Sequence, residues 1–257
     1  MWEFSIMLQA EHSNVAKFLY NNLKKYVEEV GGVITSFDQA ELIHIVIACG
    51  EEEKTRLYYY VKSFITEAIC SYFKNEFLRK NLKVQLKNRI SISAFEKALQ
   101  YFDKETDRYL VEKYLSLDKN LYLESFFEFK LKILKNKWLE LTKIANENSS
   151  YLLTEDTFIE LLKFLVDNLE ISFDTVNIIS DADGYQVLDE NFKDIDVLKE
   201  KGDGIWLVEN IIALSPRKIN IYTDSSSDEL NLINCIYSNR TNILPKQSAK
   251  IVDKRFL

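Results

Sequence analysis

Asp181-Ala182-Asp183-Gly184 followed by Glu190 is a run whose residue types and spacing could hold a metal ion. With Gly184 at the sixth position of an EF-hand loop, Asp181 and Asp183 take the third and fifth positions and Glu190 the twelfth. The first position would then be Ile179, which offers no side-chain oxygen. Both flanks alternate like strands, not helices. The same residues make a β-hairpin whose turn uses Gly184 at positive φ, and this is the preferred reading. No metal and no cofactor are expected.

Other chemistry-bearing residues read as structural. His44 lies in ELIHIVIAC, on one strand face with Leu42 and Val46, and is expected to be half-buried. His12 sits beside Ser13 at a helix entrance, and two separated histidines form no His-rich metal site. Cys70 has no Lys, Arg or His immediately beside it to lower its pKa, so a nucleophilic thiol is not expected. Glu67 falls among apolar residues and reads as a solvated or salt-bridged edge position. Gly31-Gly32 and Gly202-Asp203-Gly204 fit no nucleotide-binding glycine frame. Three adjacent helical residues span about 200° of the axis, so Tyr58-Tyr59-Tyr60 must place a ring outside the core. No catalytic residue is assigned.

The 257 residues include 47% apolar ones, enough for a substantial core. Cys49, Cys70 and Cys235 show no metal-like spacing and fit a reducing compartment. The opening MWEFSIMLQAEHS has neither a basic start nor a long apolar run, which argues against a signal peptide. The apolar stretch 42–49 is far below the roughly 20 residues of a membrane span, so no membrane insertion and a cytoplasmic location are expected. Charge is uneven. Residues 54–143 hold 19 Lys and Arg against 11 Asp and Glu, while the rest of the chain holds 14 against 29.

The expected fold is α+β in three stretches: a βαββ unit over 1–52, a helical domain over 53–170 and an α/β segment with a hairpin over 171–257. Trp2, Phe4, Ile6 and Leu8 alternate as a strand. Val15, Leu19, Leu23 and Val27 then recur at helical spacing; Ser13 or Asn14 is expected to cap that helix and Gly31-Gly32 to end it. Strands follow at 33–37 and 41–48, around a turn at Asp38-Gln39. Nearly continuous helix is expected from 53 to 170, with breaks near 83–93, 118–120 and 149–154. Its apolar stripes include Leu123, Phe127, Leu131, Leu134 and Trp138. After the hairpin at 176–188, a helix at 205–214, a strand at 218–222, a helix at 228–238 and a strand at 242–244 are expected.

Two segments carry a family resemblance. LYLESFFEFKL at 121–131 and EDTFIELLKFLVD at 155–167 resemble the signature of the YtxC-like sporulation proteins of endospore-forming bacteria. Glu124, Phe126, Phe129, Lys130 and Leu131 occupy comparable places, with Ser125 where the family has Gly and Lys130 where it has Arg. Phe158, Leu161, Leu162, Phe164 and Val166 match its downstream run, and LSPRKINI at 214–221 resembles a piece near its C-terminus. The resemblance covers about residues 120–225. It implies a role in sporulation and names no reaction.

The expected function is a non-catalytic interaction protein with a protein partner in sporulating cells. Phe126, Phe127 and Phe129 cannot all point inward on one helix, so Glu124, Phe126, Phe127, Phe129 and Lys130 form the candidate interaction surface. The alternative is nucleic-acid binding through Lys130, Lys132, Lys135 and Lys137, joined by Lys143 and by upstream Arg79, Lys80, Lys83, Lys87 and Arg89. That alternative requires these charges to converge, in a chain whose net charge is −7.

Overall fold

The computed structural model describes residues 1–83, 88–118, 120–151, 155–196, 198 and 200–253. In chain order the elements are β1 (Trp2–Gln9), α1 (Ser13–Glu29), β2 (Val33–Gln39), β3 (Leu42–Cys49), α2 (Lys54–Ala68), α3 (Lys74–Asn81), α4 (Arg89–Tyr101) and α5 (Lys104–Tyr114). There follow β4 (Asn120–Tyr122), α6 (Leu123–Ser125), α7 (Lys132–Tyr151), α8 (Glu155–Asp167), β5 (Phe173–Asp181), β6 (Gly184–Leu188), α9 (Gly204–Leu214), β7 (Pro216–Tyr222), α10 (Asp228–Ile236), β8 (Thr241–Leu244) and α11 (Lys246–Asp253). Two π-helical turns, Ile69–Phe73 and Phe126–Lys130, follow α2 and α6. The fold class is α+β. Among the described residues no helix is long and apolar enough to cross a membrane.

The chain divides into two units, not three consecutive stretches. The first is Met1–Asn81 with Lys104–Thr142, the second Leu82–Asp103 with Lys143–Leu257. The boundaries cut the helical stretch because its parts bury their apolar stripes in different cores. α5 packs on α2 in the first unit, while α4 packs on α8 and α9 in the second.

In the first unit a four-stranded sheet has the order β2-β3-β1-β4. β1 is antiparallel to β3 and parallel to β4. The alternation in β1 sends Trp2, Phe4, Ile6 and Leu8 to one face, where they join Ile45 and Ile47 of β3, Leu19 and Leu23 of α1, Val61 of α2 and Trp138 of α7. The hairpin β2–β3 turns at Ala40-Glu41, with Ala40 at φ 56°, two residues beyond the expected Asp38-Gln39. Its register needs Gln39 opposite Leu42, so the turn is pushed outward. At the end of α1, Gly31 at φ 66° lets its N–H and that of Gly32 reach the Glu28 and Val27 carbonyls. At its start the cap position is His12, whose side chain makes no cap hydrogen bond, while Asn14 Oδ1 accepts from the Val15 N–H at 2.9 Å. β4 was not expected: three residues after a helical pattern are too few for strand alternation to show.

One buried ion cluster lies in this unit. Asp107 takes hydrogen bonds from Lys74 Nζ and Lys137 Nζ, each at 2.6 Å, and from Trp138 Nε1 at 3.0 Å. Lys74 and Asp107 are 1% and 0% exposed. Burial pulls the Lys74 ammonium below its ordinary range, and Asp107 opposes that.

The second unit has the strand order β6-β5-β7-β8. β5 pairs antiparallel with β6, and the β5–β7 and β7–β8 pairs are parallel. α9 carries the chain to β7, and α10 carries it on to β8. Asp203 caps α9 through the Trp206 N–H, and Ser227 caps α10 through the Leu230 N–H. Asn177, Asn220 and Asn242 stand opposite one another across the parallel strands. Their side chains form a ladder, with Nδ2–H to Oδ1 distances of 2.9 and 3.2 Å. The hairpin turn lies between Asp181 and Gly184, whose φ is 128°. The Asp181 carboxylate is engaged by Lys201 and Lys246, which hold it below the usual carboxylate range. This pairing fits the hairpin reading of Asp181-Ala182-Asp183-Gly184.

Candidate functional site

β1 ends at Gln9, and the short turn Ala10–His12 leads into α1. The parallel pairing of β4 with β1 sets Tyr122 opposite Met7. It thereby brings α6, and Glu124 within it, to the end of β1. The Gln9 backbone N–H donates to Glu124 Oε1 at 2.8 Å. His12 Nδ1–H donates to the same oxygen at 2.8 Å, and His12 Nε2–H donates to Glu76 Oε2 of α3 at 3.1 Å. An imidazole that donates from both nitrogens is the imidazolium. The Glu124 hydrogen bond is the largest cause that raises the His12 pKa to about 9; burial opposes it and Glu76 adds to it.

The ring of His12 lies 5.0 Å from that of Phe73, which lies 5.0 Å from Phe127. Phe73 comes from one π-helical turn and Phe127 from the other. A π turn inserts one extra residue into a helix and redirects the side chains around it, a device frequent at functional sites. Together these residues bound a cleft of about 260 Å³, lined by Gln9, Glu11, His12, Glu76, Glu124 and Phe127 among others. Glu124 Oε2 is buried and has no hydrogen-bond partner among the described residues.

The cleft can hold charge and accept hydrogen bonds. Proton shuttling by His12 is disfavoured, because both of its nitrogens are engaged. Cys70 is no nucleophile either: burial pushes its thiol up to about 12. Glu67 is salt-bridged to Lys104 at 3.0 Å and to Arg108 at 2.8 Å. His44 is half-buried, and its ring stacks on Phe37 at 5.0 Å. Tyr59 is the exposed ring of its triplet, while Tyr60 stacks on Tyr26 at 4.0 Å.

The candidate interaction surface is not one continuous patch. Phe126 and Phe127 are 6% and 8% exposed, while Phe129 is 70% exposed. Phe126 and Phe127 of the π turn are both buried, and Phe129 is the ring left outside. Phe129 and Lys130 face solvent, and Glu124 turns to the cleft. The four lysines differ in their surroundings. Lys135 pairs with Glu128 at 2.6 Å over the Phe127 ring, and Lys137 pairs with Asp107. Lys130 and Lys132 are exposed. Lys83, Arg89 and Lys143 belong to the second unit, and Lys87 lies outside the described residues.

No family model, no curated protein and no solved structure matches the chain.

Nothing in the local sequence marks His12 and Glu76 as parts of one site. Glu76 stands 64 residues from His12, and Glu124 stands 112 residues from it. No local pattern links positions so far apart.

Proposed function

We propose that the chain is a non-catalytic interaction protein of endospore formation, related to the YtxC-like proteins, and that it engages a protein partner at the His12–Glu124 cleft. One observation carries this reading. The segment that resembles the YtxC-like signature, LYLESFFEFKL, is the segment that supplies Glu124 and Phe127 to the cleft and exposes Phe129 at the adjoining turn. Glu124 Oε2, with no hydrogen-bond partner among the described residues, is an acceptor that a donor from a partner would satisfy. The exposed Phe129, on the same π turn as Phe127, offers apolar contact area of the kind that anchors protein interfaces. Nucleic-acid binding draws less support, because Lys135 and Lys137 are spent on carboxylates.

The test is genetic and biochemical. A spore-forming source strain lacking the protein is scored for heat-resistant spores, then complemented with the wild-type chain, Glu124→Gln or Phe129→Ser. Loss of spores that the wild type restores, and that Phe129→Ser restores poorly at equal protein level, is the expected result. Unchanged sporulation in the deletion strain removes the proposal.

A further inference from the structure

The His12–Glu124 cleft is lined unevenly by charge. Glu11, Glu76, Glu124 and Glu128 bring four carboxylates to it, against the His12 imidazolium and the Lys80 ammonium. Its apolar wall is aromatic, made by Phe73, Phe77 and Phe127. Carboxylates beside aromatic rings are the combination that holds organic cations, since the ring face is the negative part of its quadrupole. The chain itself uses this combination once. Lys135 Nζ stands over the Phe127 ring, 5.4 Å from its centroid, and 2.6 Å from Glu128 Oε2. Two lining residues thus hold an ammonium between a ring and a carboxylate.

Capacity for a second cation remains. Glu11 is exposed and forms no ion pair among the described residues. Glu76 gives Oε2 to His12, and its side chain is 67% exposed. The Glu124 side chain is 12% exposed, and its Oε2 has no hydrogen-bond partner among the described residues. We infer that the cleft takes the guanidinium of an arginine side chain presented by the protein partner, an inference that rests on the reading of the cleft as the partner site. A planar guanidinium stacks on a ring while its N–H groups reach carboxylates in more than one direction; a compact ammonium does not. Size agrees. The cleft, at about 260 Å³, is smaller than the roughly 300–1,000 Å³ of pockets that enclose small-molecule ligands, and it suits a single side chain. Among the described residues no group of three or more His, Cys, Asp or Glu is placed to hold a metal ion, so the carboxylates are not arranged for one.

The test titrates the full chain with the blocked tripeptide Gly-Arg-Gly, to about 20 mM, and follows the NMR amide signals of Phe73, Glu76, Phe127 and Glu128. The expected result is saturating shifts with a dissociation constant on the order of 1 mM. Glu76→Gln, at an exposed position, should weaken binding roughly two- to fivefold. Glu160→Gln makes the same charge change at an exposed position of the second unit and should leave the affinity unaltered. Citrulline in place of arginine keeps the shape without the charge and should not bind. Circular dichroism checks the fold of both variants. Wild-type protein without saturating shifts at these amides overturns the inference, and so does a citrulline peptide that binds equally well. Equal weakening by Glu76→Gln and Glu160→Gln overturns it too, because the net charge of −7 would then be the whole attraction. Spore counts score the sporulation role separately. Absent peptide binding alongside the expected complementation results therefore refutes the guanidinium alone.

Discussion

His12 Nδ1 lies 2.8 Å from Glu124 Oε1, and the same imidazolium reaches Glu76 Oε2 at 3.1 Å. One side chain at the mouth of α1 thus ties together β1, α3 and the turn that follows β4. The pairing works only while His12 is charged.

The consequence is a stability that falls in alkali. His12 titrates near 9 in the folded chain, against 6.5 for an unperturbed histidine. A folded-state pKa above the unfolded one contributes stability that is fully present below about pH 6.5 and is lost as pH rises through about 9. The expected loss is on the order of 2 kcal/mol between these limits, since Glu76 is well exposed and contributes less. Urea unfolding at pH 6, 8 and 10 measures it. His12→Gln should flatten this pH dependence; a wild-type curve as flat as the variant's would refute the imidazolium assignment.

Asp107 has a different lesson. It compensates Lys74, which is as buried as any aliphatic core residue. Asp107→Ala removes the carboxylate that opposes the burial of that ammonium and is expected to cost about 3–5 kcal/mol. The double change Asp107→Leu with Lys74→Met removes the buried pair and should recover part of the loss, because Lys137 and Trp138 Nε1 still lose their acceptor. Chemical denaturation of the two proteins decides whether the cluster stabilises the fold or merely avoids a penalty.

Phe126 and Phe129 separate packing from display on one turn. Phe126→Ala opens a cavity in the core and should lower stability by about 3–5 kcal/mol. Phe129→Ala removes an exposed ring and should change stability by less than about 0.5 kcal/mol. Melting of the two variants checks the difference. Equal losses would mean that the π turn does not carry Phe126 inward.

Gly184 and Gly31 both have positive φ but different surroundings. A Cβ on Gly184 would stand 2.6 Å from the Gly202 carbonyl oxygen, whereas one on Gly31 meets nothing within 4 Å. Gly184→Ala is expected to cost about 2–3 kcal/mol, combining backbone strain with the clash. Gly31→Ala should cost about 1 kcal/mol, from conformation alone. Thermal melts of the two variants give the ranking.

What the sequence by itself determined is whatever short-range periodicity encodes. The alternation of Trp2, Phe4, Ile6 and Leu8 made β1, and the Asp183-Gly184 pair made the hairpin of the second sheet. The α+β class and most helices and strands of the C-terminal segment were legible for the same reason: each depends on residues within a few positions of one another. Strand β4 and the division into two units were not. β4 exists because its backbone completes the edge of β1, which is a property of a partner more than a hundred residues away. The fate of the aromatic run was decided the same way. Its composition required one ring outside the core but could not say which, because Phe127 of the π turn packs against Phe73 and Trp138, residues distant in the sequence. The cleft belongs wholly to the tertiary structure. His12, Glu76 and Glu124 are ordinary residues in their own segments, and only the fold brings their charges within hydrogen-bond distance.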